Sequence, residues 1–199
     1  MSKTRILLVR HGQTAWNLER RRQGHDGPGL NEQGRADARR AAETLASLNG
    51  NPPITAIYSS DLTRATETAA IIAEALGLPI TPDERLRERH QGAWQGRLTD
   101  DLVAEHGQVM DFIGEDPLAG SPPEGETGQQ VIDRMAAALD AIAARHPGER
   151  VVVVSHGGAI SLVRWLALAN LAPEFLSGPV WNRWPHNGEV VEIDWPPSA

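Results

Sequence analysis

The sequence of 199 residues contains no cysteine, a single lysine (Lys3), two phenylalanines and one tyrosine. Without cysteine there is no disulfide, no thiolate nucleophile and no cysteine-ligated metal. No apolar run approaches the length that a transmembrane helix needs. The formal net charge of −7 argues against a general nucleic-acid-binding protein, which needs a basic face. These absences leave a globular protein whose basic side chains are almost all arginines.

The size of the chain indicates how it is organised. A length of 199 residues is that of one domain, so we predict a single domain over residues 1–199, with a small insertion over the site at about 97–126. The first residues run directly into a strand-like segment rather than into the apolar core of a secretory signal. We therefore expect a cytoplasmic protein.

Short β-branched segments alternate with longer helical ones along the chain. The predicted strands are Arg5–Val9, Ile54–Tyr58, Leu78–Thr81, Val151–Val154 and a segment containing Val190, Ile193 and Trp195. The predicted helices begin at Asn31, at Ser60 or Asp61, at Thr127 and after Gly157-Gly158. This succession predicts an α/β fold, a three-layer α/β/α sandwich with a mostly parallel central sheet.

Polar residues follow three of the predicted strands. They are Arg10–Gly12 after the first strand, Ser59–Arg64 after the second and Ser155–Gly158 after the fourth. In open parallel sheets, ligands bind beyond the carboxyl ends of the strands. We therefore expect these three loops to form one site.

The residues in these loops suit phosphoryl transfer. Each alone has an ordinary structural explanation, so the prediction depends on the combination of two histidines and two arginines. Arg10 and Arg64 can clamp phosphoryl oxygens, and the helix after Gly157 offers backbone donors and a favourable dipole. A neutral imidazole is a competent nucleophile towards phosphorus. The leaving alkoxide needs a proton from a nearby carboxylic acid, and Glu88 is the best candidate.

An ordered series of motifs surrounds these residues. The motifs are Leu7–Asn17, Arg21, Gln23-Gly24, Asp26, Leu30–Gly34, Tyr58–Ala69, Glu88, Gly92–Gly96, Gly125–Thr127 and Ser155–Gly158. They cover nearly the whole chain, and in this order they resemble the histidine phosphatase superfamily, which shares its fold with the cofactor-dependent phosphoglycerate mutases. The resemblance implies a phosphoglycerate mutase-like fold and a metal-independent phosphomonoesterase of the histidine acid phosphatase type.

The resemblance also implies roles for the matching residues. His11 would be the nucleophile that forms a phosphohistidine, and Glu88 the general acid and then the base for the attacking water. The groups expected to bind phosphoryl oxygens or substrate are Arg10, Arg64, His156, Asn17, Gln23, Gly24 and Gly157. No metal ion and no organic cofactor would be required. The expected partner is a small phosphorylated metabolite, neither nucleic acid nor membrane, and a homodimer is among the oligomeric states left open.

A phosphoglycerate mutase is the main alternative, because it uses the same nucleophile but returns the phosphoryl group to its substrate. The segment Glu88–Gly92 resembles the mutase version of this loop. Against the alternative, the mutase pattern places a lysine shortly after Gln95-Gly96, where this chain has Arg97–Thr99. Its insertion is also longer than the 28 residues (97–124) found here between Gly96 and Gly125. A non-catalytic phospho-ligand binder is a further alternative, although every expected catalytic position is filled.

Several expectations concern the rim of the pocket. Gly29 stands between Pro28 and Leu30, which relatives usually join directly, and is placed to alter that rim. Trp16 and Trp94 are expected to line the pocket. For Arg20–Arg22, guidance of anionic substrates is one alternative, and solvation or pairing with acidic residues is the expected one. The residues expected to serve in packing are Trp165, Trp181, Trp184 and Trp195, and those considered for either a lid or packing are Met110, Phe112 and Ile113.

Overall fold

The computed structural model describes residues 3–50, 52–107, 118–169 and 184–196. Within these ranges a five-stranded sheet is formed by β1 (Thr4–Arg10), β2 (Ile54–Ser59), β3 (Ile80–Pro82), β4 (Arg150–Ser155) and β5 (Val190–Trp195). The strand order is β3-β2-β4-β1-β5, and β5 is the strand that runs antiparallel to its neighbour. The prediction of a mostly parallel sheet is confirmed.

The helices of the described ranges are α1 (Ala15–Leu18), α2 (Glu32–Leu48), α3 (Thr63–Leu76), α4 (Thr99–His106), α5 (Gly128–Arg145) and α6 (Gly157–Ala169). Two short 3-10 turns, Glu84–Leu86 and Gly92–Trp94, lie between β3 and α4. None of these helices has both the length and the apolar character that a membrane span requires.

Alternate side chains of the central strands pack on opposite faces of the sheet. In β1, Ile6 and Leu8 belong to the cluster that includes α5 and α6, whereas Leu7 and Val9 pack with α2 and α3. The side chains of Val151–Val154 in β4 divide in the same way, and all are fully buried. Strands that are apolar on both faces must be covered on both. The sheet therefore lies between two helical layers, which confirms the three-layer sandwich.

Most helix ends follow local sequence signals. The side chain of Asn31 accepts the N–H of Gly34 at the start of α2. Thr127 and Gln130 form a capping box at the start of α5. Gly77 ends α3 with a φ of 66°, a left-handed conformation that favours glycine. The predicted boundaries at these positions are confirmed.

The start of α3 differs from the prediction. The helix begins at Thr63, and neither Ser60 nor Asp61 caps it. Both side chains have other partners, because Ser60 contacts His156 and Asp61 accepts hydrogen bonds from Arg87. Hydrogen bonds to residues distant in the sequence therefore take the place of the local capping bonds at this helix.

The segment predicted as an insertion at about 97–126 begins with α4. Its first residues join the loop that follows α1: the Gly96 N–H donates to Arg22 O (2.8 Å), the Arg22 N–H to Arg97 O (2.9 Å) and the Thr99 N–H to Arg20 O (2.8 Å). Met110, Phe112, Ile113 and Trp181 lie outside the described residues. A single domain over residues 1–199 stays a prediction.

Candidate active site

The strand order places the three predicted loops side by side, because β4 lies between β1 and β2. The His11 N–H donates to Ser155 O (3.0 Å) and the Ser60 N–H donates to Val154 O (2.9 Å), so both outer loops are tied to β4. The ring centroids of His11 and His156 are 5.1 Å apart, with an interplanar angle of 56°. The structure thus brings together the two histidines selected from the sequence.

The ring of His11 is held in one tautomer. Its Nδ1 lies 2.7 Å from the carbonyl oxygen of Gly12. A carbonyl can only accept, so Nδ1 carries the proton and Nε2 keeps its lone pair in the neutral ring. Burial, followed by the positive charges of Arg64 and Arg10, lowers the pKa of His11 well below its ordinary value of 6.5. At neutral pH the ring therefore has the form that a nucleophile needs.

Close packing fixes the backbone on which His11 lies. A Cβ at Gly12 would be 2.1 Å from the carbonyl oxygen of Gly34, so only glycine fits. The Gly12 N–H donates to the hydroxyl of Thr68 (3.0 Å), and the side-chain amide of Asn187 donates to His11 O (2.9 Å). Asn187 was not identified from the sequence, because it follows no predicted strand and belongs to no recognised motif.

His156 is fully buried, and its two ring nitrogens differ. Nε2 lies 2.8 Å from the hydroxyl of Ser60, whereas Nδ1 has no hydrogen-bond partner among the described residues. The Ser60 hydroxyl also accepts the N–H of Leu62 (3.3 Å), and its own proton is available to Nε2. Burial and the charge of Arg64 lower the pKa of His156 well below its ordinary value. A neutral ring that accepts at Nε2 carries its proton on Nδ1.

Arg10 and Arg64 are held by backbone carbonyls. Arg64 is 2% exposed, and its two terminal nitrogens donate to Asp26 O (2.8 Å) and Gly24 O (2.6 Å). Arg10 donates to Pro185 O (2.7 Å). The Nε of each is buried without a hydrogen-bond partner in the described part of the chain. Burial lowers the pKa of Arg10, and lowers that of Arg64 to about 10, so both stay cationic at neutral pH.

The carboxylate of Glu88 lies at the N terminus of α6. It accepts the backbone N–H groups of Gly158 (2.9 Å), Ala159 (3.0 Å) and Arg89 (2.9 Å). A negative charge is favourable at this end of a helix. The sequence led us to expect these helix donors to bind a phosphoryl group. In the structure the donors of Gly158 and Ala159 bind Glu88 instead, because the loop that carries Glu88 packs against the start of α6.

Arg134 anchors the Glu88 loop from α5. Its terminal nitrogens donate to the carbonyl oxygens of Arg85 (2.8 Å), Arg87 (2.6 Å) and Glu88 (2.8 Å). The guanidinium also forms two bonds to the Glu126 carboxylate, of 2.8 and 2.9 Å. Sequence reasoning did not identify Arg134, because a polar residue within an amphipathic helix looks like part of its solvated face. The motif that contains Glu126 was the available signal.

These residues surround a cavity of about 270 Å³, close to the lower limit of roughly 300 Å³ for ligand pockets. The lining residues are Arg10, His11, Trp16, Asn17, Arg20, Arg21, Arg22, Gln23, Gly24, Arg64, Glu88, Gln91, Thr99 and Trp184. Two predicted site residues, His156 and Gly157, are not among them. His156 is fully buried, and the ring of Trp184 lies over Gly157, where a Cβ would be 2.6 Å from a ring carbon.

Asn17 and Gln23 line the cavity, and hydrogen bonds to Thr14 hold both side chains. The Asn17 amide oxygen accepts both the backbone N–H (3.0 Å) and the hydroxyl (3.1 Å) of Thr14. The same hydroxyl lies 3.0 Å from the amide oxygen of Gln23. With its oxygen engaged, Asn17 has its amide nitrogen left as a hydrogen-bond donor.

The cavity has two regions. The floor consists of Arg10, His11 and Arg64, which line the cavity, and of His156, which is fully buried beside His11 and does not line it. The mouth consists of Trp16, Arg20–Arg22 and Thr99. In the mouth, Arg20 pairs with Asp100 (3.2 Å) and Arg21 with Glu19 (2.9 Å), as expected for exposed arginines. In the described ranges no group of three or more histidine, aspartate or glutamate side chains is arranged to hold a metal ion.

Three positions near the rim differ from expectation. Trp184 lines the cavity and is 39% exposed, although packing was predicted for it. Trp94 is 5% exposed and stacks on His106 instead of lining the cavity. Gly29 lies against the carboxylate of Glu67 on α3, away from the lining. Trp16, by contrast, lines the cavity as predicted from its position beside Asn17.

Comparisons with known proteins give a consistent result. A family model described as the histidine phosphatase superfamily (branch 1) matches residues 6–198. The chain is 43% identical over 157 residues to phosphoglycerate mutase-like protein 4 of Arabidopsis thaliana, covering 78% of this chain and 67% of that protein. It is 38% identical over 176 residues to the probable phosphoglycerate mutase GpmB of Escherichia coli, covering 88% and 76%. The structure of a mycobacterial glucosyl-3-phosphoglycerate phosphatase in complex with VO3 is 32% identical and superposes with a TM-score of 0.81, covering 94% and 90%.

Proposed function

The chain belongs to the histidine phosphatase superfamily, and from this premise we propose that it is a metal-independent phosphomonoesterase of the histidine acid phosphatase type. The observation that carries the proposal is the tautomer of His11. Its Nδ1 proton is bound to Gly12 O, so the lone pair of Nε2 is free in a cavity that Arg10 and Arg64 also line.

The first half-reaction forms the phosphoenzyme. Nε2 of His11 attacks phosphorus as the bond from phosphorus to the leaving oxygen breaks, and a protonated Glu88 gives its proton to that oxygen. Arg10 and Arg64 bind the equatorial oxygens, on which negative charge accumulates. The Nδ1–H of His156 supplies a neutral donor to the same oxygens. This assignment gives a ligand partner to the buried Nε atoms of both arginines and to Nδ1 of His156.

The second half-reaction regenerates the enzyme. Water attacks the phosphohistidine, the Glu88 carboxylate takes one of its protons, and the bond from phosphorus to Nε2 breaks to release inorganic phosphate. Glu88 therefore alternates between acid and base. Its position supports the role of base, since Arg134 fixes its backbone and three backbone N–H groups donate to its carboxylate, which lines the cavity.

A second candidate is a phosphoglycerate mutase, favoured by the names of the relatives that are 43% and 38% identical. A mutase must protect its phosphoenzyme from water, and the 28 residues (97–124) between Gly96 and Gly125 are few for that purpose. Arg97, near the position where the mutase pattern has a lysine, pairs with Glu105 (2.8 Å) on α4. These observations favour hydrolysis.

The test is phosphate release from a panel of phosphomonoesters in the presence of EDTA, with 3-phosphoglycerate and a trace of 2,3-bisphosphoglycerate included. Hydrolysis with little isomerisation is the expected result. Isomerisation without net phosphate release would make the protein a mutase. Tight product binding without any turnover would make it a non-catalytic binder.

We propose small phosphorylated metabolites as substrates, because the cavity is too small for a macromolecule to enter. The complete absence of cysteine suits an enzyme of the cytoplasm. Fractionation of the cells that make the protein, followed by immunodetection, would test that location.

A further inference from the structure

Glu88 and Arg64 come from different parts of the fold, although the proposed hydrolysis needs both at one phosphorus atom. Arg64 lies in the first turn of α3, and Glu88 lies on the loop between the two 3-10 turns. A proton donor must be within hydrogen-bond reach of the leaving oxygen, and a misplacement of about 1 Å can lower a rate about 10²-fold. A residue that fixes these two side chains relative to each other therefore contributes to the rate without touching the substrate.

The tripeptide Gly24-His25-Asp26 contacts both residues. The carbonyl oxygens of Gly24 and Asp26 accept the terminal nitrogens of Arg64, at 2.6 and 2.8 Å. Between them in the chain, Nε2 of His25 lies 2.7 Å from the carbonyl oxygen of Glu88. A carbonyl can only accept, so Nε2 carries a proton and donates it. The main chain of the tripeptide thus holds Arg64, and its central side chain holds Glu88.

Gln95 fixes the tripeptide in turn. Its amide oxygen accepts the backbone N–H of His25 (2.8 Å), and its amide nitrogen donates to the carboxylate of Asp26 (2.8 Å). Gly24 has a φ of 56°, and a Cβ there would lie 2.9 Å from the backbone nitrogen of Gln91, so this close approach requires glycine. These contacts do not use the ring of His25, so the support should persist when the ring is replaced.

The carbonyl oxygen of Glu88 has a second donor, Arg134 of α5, at 2.8 Å. A carbonyl oxygen has two lone pairs, so it can accept both bonds. Arg134 also binds two further carbonyl oxygens of the same loop, and so ties the loop to α5. The bond from His25 joins Glu88 instead to the tripeptide that holds Arg64.

The ring of His25 has charged and titratable neighbours. It meets the ring of His90 edge-on, with centroids 4.9 Å apart, and its Nε2 lies 3.9 Å from the carboxylate of Glu126, which also binds Arg134. Burial lowers the pKa of His25 below its ordinary value of 6.5, so the neutral ring dominates at neutral pH. Nε2 carries a proton in this tautomer and in the doubly protonated ring, so the bond to Glu88 O does not depend on the charge of the ring.

We propose that His25 is a positioning residue for the general acid: its Nε2–H holds Glu88 in place relative to Arg64, so that the carboxyl group reaches the leaving oxygen while Arg64 binds the phosphoryl group. This inference rests on the proposed phosphomonoesterase function. His25 is not among the residues that line the cavity, so it acts through Glu88 and not on the substrate.

The experiment compares His25→Leu, which loses the donor, with His25→Gln, whose amide nitrogen can donate to Glu88 O. The measured quantity is kcat/KM for glycerol 3-phosphate, a poor leaving group that needs protonation, and for p-nitrophenyl phosphate, a good one that needs little. His25→Leu should lower the first value about tenfold, the usual effect of one lost hydrogen bond. It should lower the second less than about threefold. His25→Gln should restore both values.

Inorganic phosphate reports separately on Arg64. Its inhibition constant should be the same in His25→Leu as in the unmodified enzyme, because the main chain of residues 24 and 26 still holds the guanidinium. A weaker inhibition together with an equal loss of kcat/KM for both substrates would mean that the ring only keeps the tripeptide folded. That result would overturn the positioning role.

A double-mutant cycle with Glu88→Gln tests whether His25 acts through Glu88. In the Glu88→Gln background there is no acid to position, so His25→Leu should change kcat/KM for glycerol 3-phosphate much less than it does in the unmodified enzyme. The same loss in both backgrounds would overturn the proposal.

His106→Leu is the matched control, because it makes the same substitution at an exposed histidine of α4 and should leave both values of kcat/KM unchanged. If the unmodified enzyme released no phosphate from any phosphomonoester, the proposed hydrolysis would fail. Nitrogen chemical shifts of the His25 ring, read by NMR, would still test the contact. A neutral ring protonated on Nε2 is expected, and one protonated on Nδ1 would overturn it.

Discussion

The floor and the mouth of the cavity are built in different ways. In the floor, Arg10 ends β1, His11 and His156 directly follow β1 and β4, and Arg64 lies in the first turn of α3. His11, Arg64 and His156 are at most 3% exposed. Three buried donors or acceptors of the floor lack hydrogen-bond partners in the described protein. In the mouth, Arg20 and Arg21 lie on a loop, and acidic residues already pair with them.

This difference assigns the reaction to the floor of the cavity and the choice between substrates to its mouth. The buried charges of the floor act strongly on any phosphoryl group, because little water screens them. An exposed mouth with exchangeable ion pairs contributes only when the ligand offers a better anion than the one present. Changes to the floor should therefore affect every substrate alike, and changes to the mouth should affect substrates unequally.

The largest expected effect is the loss of the nucleophile. His11→Ala should abolish phosphoenzyme formation and lower turnover by at least roughly 10⁴-fold for every substrate. The measurement is acid-quench trapping of radiolabel from a labelled phosphomonoester, with parallel rate measurements. A variant that still traps label at the normal level would show that another residue is the nucleophile. His106→Ala, at the exposed end of α4, is the control and should trap label normally.

Next in size is the loss of the acid and base. Glu88→Gln should lower turnover about 10²–10⁴-fold, the usual contribution of a positioned acid-base group. The loss should be greatest for substrates with poor leaving groups, because these depend most on protonation. Rates for a series of aryl and alkyl phosphates measure this dependence. An equal loss of kcat/KM, which reports formation of the phosphoenzyme, for good and poor leaving groups would mean that Glu88 does not protonate the leaving oxygen. Glu84→Gln at an exposed position is the control.

The sequence predicts the floor well and the mouth poorly, for a physical reason. Apolar runs and strand ends are local signals, and the sheet rule brings Arg10–Gly12 and Ser155–Gly158 to one edge without knowledge of any other contact. Trp184 lines the cavity only because its ring covers Gly157, a contact between residues distant in the chain. Arg134 likewise finds its carbonyl partners only once α5 has packed. No local pattern could reveal either placement.

A smaller effect on kcat/KM is expected from the loss of the Ser60 hydroxyl, which contacts His156. Ser60→Ala removes the hydroxyl that fixes the tautomer of His156, and we expect kcat/KM to fall about tenfold for all substrates. Nitrogen chemical shifts of the His156 ring, read by NMR, should show Nδ1 protonated in the unmodified enzyme and a tautomer mixture in the variant. Ser60→Thr, which keeps a hydroxyl, should restore both the rate and the shifts.

The neighbouring Ser59 is a matched control for this prediction. Its buried hydroxyl donates to Ser60 O (2.8 Å), with no contact to His156. Ser59→Ala should keep the His156 tautomer. Loss of rate in Ser60→Ala with unchanged ring shifts would contradict the tautomer argument and would leave only a packing role.

The smallest expected effect concerns stability against pH. Burial depresses the pKa values of His11 and His156 in the folded state, so below the unfolded value of 6.5 the unfolded chain binds protons that the folded chain does not. The free energy of unfolding should therefore fall as pH decreases from 6.5 towards the folded pKa values, by up to about 1.4 kcal/mol per pH unit for each histidine.

Urea unfolding at about pH 7 and about pH 5.5 measures this fall, since it covers the window below the ordinary histidine pKa. His156→Asn should reduce the fall, because one of the histidines whose pKa burial lowers is gone. His186→Asn and Arg20→Gln, both changes at the surface, should leave it unchanged. A fall of the same size in His156→Asn would mean that burial does not lower the pKa of His156. The contrast between the buried floor and the exposed mouth would then be one of geometry alone.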